Sequence, residues 1–282
     1  MPQFKQVDVF TDVKYKGNPV AVIFDADGLT TDQMQDIARW TNLSETTFVV
    51  KPQSSDADYG LRIFTPGEEL PFAGHPTLGS AFALLEDGLI APKNGKVIQD
   101  CKAGLVEISI DESSSLLEFK LPYAKSRPIS EETKNQVQES LGKTVVGQPV
   151  LIETGPKWAV FEFMSADDVL NLNIDLAKIT ELSKENDWTG IEVFGKHESG
   201  KYELRNIAPI VGVAEDPACG SGSGALGAYL SAHKKEVIDS FEITQGRPIG
   251  RDAKIRVRIG KDDGSVFVGG NAVTCFSGTY SI

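Results

Sequence analysis

Short runs of apolar and β-branched residues alternate with turns along the first half of the chain. This pattern predicts strands at Gln6–Thr11, Pro19–Phe24, Thr46–Val50, Tyr59–Phe64, Val97–Asp100 and Val106–Ile110. After the second strand, Thr30 and Gln33 have the spacing of a capping box, and the apolar residues that follow lie on one side of a helix. Pro76–Leu85 is small or apolar all round, which favours a helix buried on every face.

The same order of elements returns after Leu121–Glu132, a polar stretch with two prolines that we predict to be a linker. The second half predicts helices near Glu131–Leu141, Ala166–Leu170 and Leu176–Glu185. It also predicts strands at Pro149–Glu153, Trp158–Phe163, Gly190–Phe194, Tyr202–Ile207, Phe241–Gln245, Lys254–Ile259, Ser265–Val268 and Ala272–Phe276. Gly222–Ala232 predicts a second all-round apolar helix. A helix buried on every face needs a sheet curled around it, so we expect an α+β protein rather than a parallel βαβ fold.

Two segments look like copies of one another, and each leads through glycines into one of these apolar helices. Arg62–Pro66 is followed by Phe72–Gly79, and Arg205–Pro209 is followed by Glu215–Gly227. A duplicated half predicts two pseudo-symmetric domains with one site between them. The first turn of a helix presents backbone N–H groups and the positive end of the dipole, so two such turns would hold a carboxylate.

Composition narrows the list of partners. The net charge of −12 repels nucleic acids and anionic membranes, so we expect neither as a partner. Met1–Gln6 lacks the features of a signal peptide, and no apolar run approaches the roughly twenty residues of a membrane span, so we expect a cytoplasmic protein. The three cysteines are scattered and lack zinc-ligand spacing, which predicts free thiols and no structural metal.

Three residues are candidates for acid–base chemistry. Glu45 precedes a predicted strand; it is either a surface carboxylate or a general base whose pKa is raised by burial. His75 lies between Gly74 and Pro76; because Pro fits the first helical position, we expect His75 or Gly74 to cap the helix. Asp216 before Pro217 is either ordinary turn chemistry or a carboxylate aimed at substrate.

Cys219 takes the place of Ala73 when the two copies are superimposed. A racemase that uses two thiols needs a cysteine on both sides, so we expect Cys219 to be a buried filler. Gly222–Gly227 fits the dinucleotide pattern G-x-G-x-x-G, but it lacks the βαβ context, and we interpret its glycines as close helix packing and anion-binding N–H groups.

These segments resemble the PhzF-like isomerase family, within the diaminopimelate-epimerase-like fold. The matching stretches are Asp8–Thr11, Gly17–Val22, Leu43–Phe48, Arg62–Pro66, Phe72–Thr77, Glu215–Ser221, Gln245–Arg247 and Gly250–Arg251. The resemblance implies two domains, each a curved mixed sheet around a central apolar helix, at 1–122 and 123–267. It also implies that strands from about 268 to 282 return to the first domain, that the site needs no cofactor, and that the protein is a homodimer.

Carried over by motif, the resemblance implies that Glu45 moves a proton between carbons and that His75 and Asp216 position the substrate and assist. Residues implied in substrate binding are Gly74, Pro76, Gly220, Ser221, Asn18 and Ser44. The family's second motif usually has Thr where this chain has Cys219.

We therefore predict a cofactor-independent isomerase that moves a proton within a small carboxylate-bearing substrate, with a cyclic dihydro-hydroxy acid as one option. Two alternatives stay open: an amino-acid racemase or epimerase, and a catalytically silent binding or scaffold protein of the same fold.

Overall fold

The computed structural model describes residues 3–111, 113–233 and 238–281. The chain divides into two compact units. The first comprises the residues up to Lys120 together with those from Gly269 onward, and the second is Leu121–Val268.

The first unit holds a mixed sheet and two helices. Its elements are β1 (Gln3–Val9), β2 (Asn18–Ile23), α1 (Thr31–Thr41), β3 (Thr46–Val50), β4 (Tyr59–Phe64), β5 (Glu69–Leu70), α2 (Gly74–Glu86), β6 (Lys96–Cys101), β7 (Gly104–Asp111) and β8 (Leu116–Lys120).

The second unit repeats this plan with additional helices. Its elements are β9 (Lys125–Pro128), α3 (Glu131–Leu141), β10 (Val146–Glu153), β11 (Lys157–Glu162), α4 (Ala166–Leu170), α5 (Leu176–Asn186), β12 (Gly190–Lys196), β13 (Tyr202–Ala208), β14 (Val213–Asp216), α6 (Gly220–His233), β15 (Ser240–Gln245) and β16 (Ala253–Ile259). The boundary between the units falls inside β17 (Val266–Gly270), and β18 (Ala272–Thr279) belongs to the first unit, where it pairs with β1.

Strand pairing follows the same scheme in both units. β2 and β3 pair in parallel, β3 and β4 antiparallel, and β4 and β6 in parallel. In the second unit, β11 and β12, β12 and β13, and β13 and β15 pair in those same three ways. The α+β prediction is confirmed, because parallel and antiparallel pairs mix and few helices accompany the strands.

Each unit buries one helix against its sheet. α2 packs on β1, β2 and β8, and a Cβ atom added at Gly79 would lie 2.5 Å from the Val20 side chain. α6 packs on β10, β11 and β16, and a Cβ atom at Gly227 would lie 2.8 Å from Val266. Glycine therefore brings each helix onto its strands, as the small and apolar composition of both segments predicts.

Other hydrophobic clusters hold the remaining helices. In the first unit α1 buries Met34 and Ala38 in a cluster with Phe48 and Phe64. The capping box predicted for this helix is confirmed, since Thr30 and Gln33 bond reciprocally. In the second unit α3 and α5 contribute to a cluster that includes the fully buried Phe161.

The predicted linker at Leu121–Glu132 is wrong in part. Lys125–Pro128 forms β9, which pairs with β10, and Ser130 caps α3 through the N–H group of Thr133. An edge strand tolerates polar residues and proline because one side of its backbone needs no partner, so composition alone resembled a linker. The short strands β5 and β14, and the strand β8, were also not predicted from the sequence.

Among the described residues, the structure contains no helix with the length and apolar character that a bilayer crossing requires.

Candidate active site

Glu45 occupies a turn that the neighbouring elements hold in place. α1 ends at Asn42, whose backbone is left-handed with φ 55°. The hydroxyl oxygens of Thr41 and Thr46 are 2.7 Å apart and join the two ends of the turn. Since β3 begins at Thr46, Glu45 is the last residue before a buried strand, and its position depends on both α1 and the sheet.

The Glu45 carboxyl lies in a largely dry environment. Its side chain is 16% exposed, and Nε2 of His75 lies 3.4 Å from its Oε2. Burial raises the pKa of Glu45 to about 7, and a hydrogen bond with the Ser44 side chain acts in the opposite direction. The distance to His75 is that of an ion pair rather than of a short hydrogen bond. A carboxyl with this pKa populates both protonation states near neutral pH.

His75 reaches Glu45 from the first turn of α2. Ala73 precedes the helix in an extended conformation and supplies no side-chain cap, so Gly74, His75 and Pro76 are its first three residues. The prediction that Pro76 opens the helix, with His75 or Gly74 as the cap, is therefore wrong: Pro76 is the third helical residue, and the cap position belongs to Ala73. Proline fits here too, because N–H groups of the first turn have no partner within the helix.

Gly74 allows the close approach of this turn to the sheet. A Cβ atom at Gly74 would lie 2.5 Å from the ring of Phe119 on β8. Any side chain at this position would push α2 away from β8 and carry His75 with it. The glycine is thus required by packing, whatever its N–H group binds.

Asn18 starts β2 and is 1% exposed. β2 and β3 run in parallel with Ala21 beside Thr46. Asn18 and Glu45 therefore lie towards the same end of neighbouring strands, with Ser44 next to Glu45.

Asp216 and α6 form a second cluster, within the second unit. Asp216 ends β14, and its Oδ1 accepts a hydrogen bond of 3.0 Å from the N–H group of Ala218. Gly220 and Ser221 are the first two residues of α6. Asp216 therefore lies four positions before Gly220, the first residue of α6.

Cys219 caps α6. Its Sγ accepts a hydrogen bond of 3.3 Å from the N–H group of Gly222, as a hydroxyl does at a conventional helix start. Burial, together with the charge of Asp216, raises the pKa of the Cys219 thiol well above its ordinary value, so it stays protonated. The prediction that Cys219 is buried is confirmed, since it is 4% exposed, and its sulfur also takes the capping role that a threonine oxygen would take.

The Ser221 hydroxyl is oriented by a tryptophan. The indole N–H group of Trp158 donates to Ser221 Oγ at 3.0 Å, and Trp158 is 3% exposed. Trp158 can only donate, so it does not take the proton of the Ser221 hydroxyl, and Cys219 Sγ lies 3.4 Å from Ser221 Oγ as a second hydrogen-bond partner.

Sequence reasoning missed three fully buried polar side chains of the second unit. Glu192, Asn206 and Gln245 are each 0% exposed. Glu192 lies within the apolar run Gly190–Phe194, and that position was a readable signal of a buried carboxyl. Burial raises the pKa of Glu192 well above its ordinary value.

Within residues 3–111, 113–233 and 238–281, no three His, Cys, Asp or Glu side chains are grouped so as to hold a metal ion.

The candidate residues divide between the two units, into a first and a second cluster. The first unit contains Asn18, Ser44, Glu45, Gly74, His75 and Pro76, and the second contains Asp216, Gly220 and Ser221. The first cluster holds a carboxyl with a near-neutral pKa, and the second surrounds the start of a fourteen-residue helix.

Comparison with known proteins gives consistent matches over the whole chain. A model of the phenazine biosynthesis-like protein family (PhzC-PhzF) matches residues 7–278. "Antisense-enhancing sequence 1" of Schizosaccharomyces pombe is 50% identical over 287 residues, covering 98% of this chain and 97% of the relative. A trans-2,3-dihydro-3-hydroxyanthranilate isomerase of Pseudomonas fluorescens is 34% identical, covering 99% of both chains. The crystal structure of a PhzF-family protein of Bacillus anthracis superimposes with a TM-score of 0.88 at 26% identity, covering 100% of this chain and 99% of that one.

Proposed function

Because the chain belongs to the phenazine biosynthesis-like (PhzC-PhzF) family, a family of isomerases, we propose that it moves a proton within a small carboxylate-bearing substrate. A cyclic dihydro-hydroxy acid is the first candidate, since the Pseudomonas fluorescens relative is named for such a compound. We propose that Glu45 is the acid–base residue and that the reaction needs no cofactor.

The observation that supports this proposal most strongly is the Glu45 carboxyl. Burial raises its pKa to about 7, and His75 lies 3.4 Å away. A general acid–base catalyst works best when its pKa is near the working pH, because it must accept a proton and return it. An ordinary surface glutamate would stay ionised and return the proton poorly.

The proposed reaction balances without an oxidant or reductant. Glu45 takes a proton from a carbon conjugated to the carboxylate, and the electron pair of the C–H bond moves into the conjugated system. The protonated Glu45 then delivers the same proton to a second carbon, and the double bond changes position. Negative charge that develops on the carboxylate would be stabilised by N–H groups at the first turn of a helix, such as that of α2 beside Glu45.

We propose substrate-binding roles for the candidate residues of each unit. Gly74, Gly220 and Ser221 would bind the carboxylate, and His75 and Asp216 would orient the substrate and assist proton movement. Asn18, Ser44 and Pro76 would complete the binding surface. The indole N–H group of Trp158 supports this role, since it holds the Ser221 hydroxyl at the first turn of α6.

Proton NMR in D2O tests the proposal. Trans-2,3-dihydro-3-hydroxyanthranilate, diaminopimelate and common amino acids are incubated with the wild type and with Glu45→Gln. We expect deuterium to enter one compound with the wild type and the rate to fall about 10²- to 10⁴-fold in the variant. The matched control is Glu68→Gln, a surface carboxylate of the same unit, which should change nothing.

The pH dependence gives a second reading of the same experiment. If Glu45 must first accept a proton, kcat/KM rises with pH until about 7 and then levels, because only the ionised carboxylate is active. Retention of most exchange by Glu45→Gln would overturn the assignment.

A binding protein is the second candidate. The relative with 50% identity carries a name that states no reaction, "Antisense-enhancing sequence 1". A panel compound that binds to the wild type while none of its carbons exchanges a proton would favour this candidate. The two-thiol racemase is disfavoured, because Cys219 is a protonated cap and Ala73 holds the matching position.

A further inference from the structure

We propose that Gln245 is a positioning residue whose carboxamide holds Asp216 and the first turn of α6 in a single arrangement. Its catalytic consequence rests on the function proposed above, whereas the structural hold itself does not. Gln245 belongs to the Gln-Gly-Arg segment of the chain, for which sequence reasoning found no role.

The carboxamide of Gln245 joins both ends of the Asp216–Cys219 turn. Its Oε1 accepts a hydrogen bond of 3.0 Å from the N–H group of Cys219, and its Nε2 donates at 3.0 Å to the carbonyl of Asp216. Gln245 is 0% exposed, so water does not compete for these groups. One side chain therefore bonds the backbone at both ends of the turn that carries Asp216.

The residue after Gln245 closes the same contact through its backbone. Gly246 has φ 88°, and a Cβ atom there would lie 2.6 Å from the carbonyl oxygen of Pro217. No other residue fits this conformation and this approach. The Gln245 side chain therefore bonds the turn, and the absence of a side chain at Gly246 lets the backbone pass close to Pro217.

A chain of buried amides determines which way the Gln245 carboxamide points. Its Nε2 also donates to Asn206 Oδ1 at 3.2 Å, and Asn206 Nδ2 donates to Glu192 Oε2 at 2.9 Å. A backbone N–H group can only donate, so Cys219 requires an oxygen at its end of the chain. Every later donor and acceptor is then determined as far as Glu192.

The first unit offers a matched control. Gln99 is 0% exposed and lies on β6, which pairs in parallel with β4 as β15 does with β13. Its carboxamide bonds to the hydroxyl groups of Tyr59 and Thr77, each at 3.1 Å. Gln99 is therefore an equally buried glutamine whose carboxamide bonds side chains and does not hold the backbone that leads into α2.

Hydrogen exchange measured by mass spectrometry tests the structural part. We expect Gln245→Met to speed exchange in peptides that span residues 214–222, while peptides from β12 keep their protection. Gln99→Met should leave residues 214–222 unchanged. If Gln245→Met fails to fold, Gln245→Glu keeps the shape and the acceptor for Cys219 but loses the donor to Asp216, and exchange at Asp216–Ala218 should still rise. Unchanged protection of residues 214–222 in a folded Gln245 variant would overturn the proposal.

Kinetics test the consequence. A misplacement of about 1 Å in a catalytic group costs about 100-fold in rate, so kcat per folded molecule should fall about that much in Gln245→Met, and KM should rise. Gln99→Met should change both less than about threefold. Equal kinetic losses in the two variants would show that Gln245 contributes only to the stability of its unit, and would overturn its positioning role. A wild type that catalyses no exchange would refute the proposed function alone, because the hydrogen-exchange result still decides whether Gln245 holds the turn.

Discussion

The first turns of α2 and α6 occupy corresponding places in the two units, yet they are built differently. α2 starts after Ala73, which supplies no side-chain cap, and its second residue, His75, lies 3.4 Å from a carboxyl whose pKa is about 7. α6 starts after Cys219, whose thiol caps the helix and whose N–H group is held by Gln245. A duplicated scaffold thus carries a carboxyl with a near-neutral pKa beside the helix start in one copy and a protonated capping thiol in the other.

Each unit also contains a two-pronged Arg–Glu ion pair, and the pair of the second unit is the more deeply buried of the two. Arg62 bonds Glu69 through Nε and Nη2 at 2.7 and 2.9 Å, with side chains 28% and 20% exposed. Arg205 bonds Glu215 in the same two-pronged way at 3.0 and 2.8 Å, with side chains only 6% and 9% exposed. The corresponding arginines of the two repeated segments thus form a partly exposed ion pair in the first unit and a buried ion pair in the second.

Breaking each bridge should measure this difference, and we expect the largest effect here. Arg205→Met leaves Glu215 buried without its cation and removes donors from the carbonyls of Val169 and Leu172, so the free energy of unfolding should fall by about 3–5 kcal/mol. Arg62→Met should cost about 1 kcal/mol, because solvent screens the bridge. Urea unfolding followed by tryptophan fluorescence measures both. Equal losses would show that burial does not separate the two bridges.

The pH dependence of stability should sharpen the contrast between Glu45 of the first unit, whose pKa is about 7, and the fully buried Glu192 of the second. Burial raises the folded-state pKa of Glu192, so its contribution to stability is complete at low pH and is lost as the pH rises towards that raised value. Glu192→Gln keeps the acceptor for Asn206 and removes the titration. We expect the variant to gain on the wild type by about 1.4 kcal/mol for each pH unit above roughly 4.5 until the folded pKa is reached.

Unfolding at pH 5, 6, 7 and 8 checks this prediction, with Glu68→Gln as the exposed control. The control should track the wild type at every pH. A constant difference between Glu192→Gln and the wild type would mean that Glu192 is ionised in the folded protein, against its fully buried position.

Local patterns were sufficient for most of the fold. Strands such as Thr46–Val50 and Tyr59–Phe64 were predicted residue for residue, because a β-branched run bounded by turn residues has few alternatives. The start of α2 was misplaced, since proline is accepted anywhere in a first turn and cannot mark a single position. β9 was mistaken for a linker, because an edge strand does not need the apolar alternation of a central one.

The candidate site, like the fold, was predicted from the sequence only in part. Glu45 and Asp216 stood out through motifs, but the near-neutral pKa of Glu45 depends on burial that only the packed sheet and α2 create. Gln245, Asn206 and Glu192 are separated by up to 53 positions in sequence, from 192 to 245, and form one hydrogen-bonded chain. Pairing between distant strands creates that chain, and periodicity within one segment cannot reveal it.

The smallest predicted effect concerns Cys219, which caps α6 where Ala73 precedes α2 without a side-chain cap. Cys219→Ala makes this start resemble that of α2, which follows Ala73 without a cap, and should cost about 0.5–1 kcal/mol, because sulfur is a weak acceptor. Cys219→Ser keeps the size and offers a better acceptor, so its unfolding midpoint should match or exceed that of the wild type. Deuterium exchange into substrate should persist in Cys219→Ser, since a thiol held protonated by burial takes no part in proton transfer. Loss of exchange in a Cys219→Ser variant that remains as stable as the wild type would instead assign the thiol a chemical role, and the two helix starts would then differ in catalysis as well as in capping.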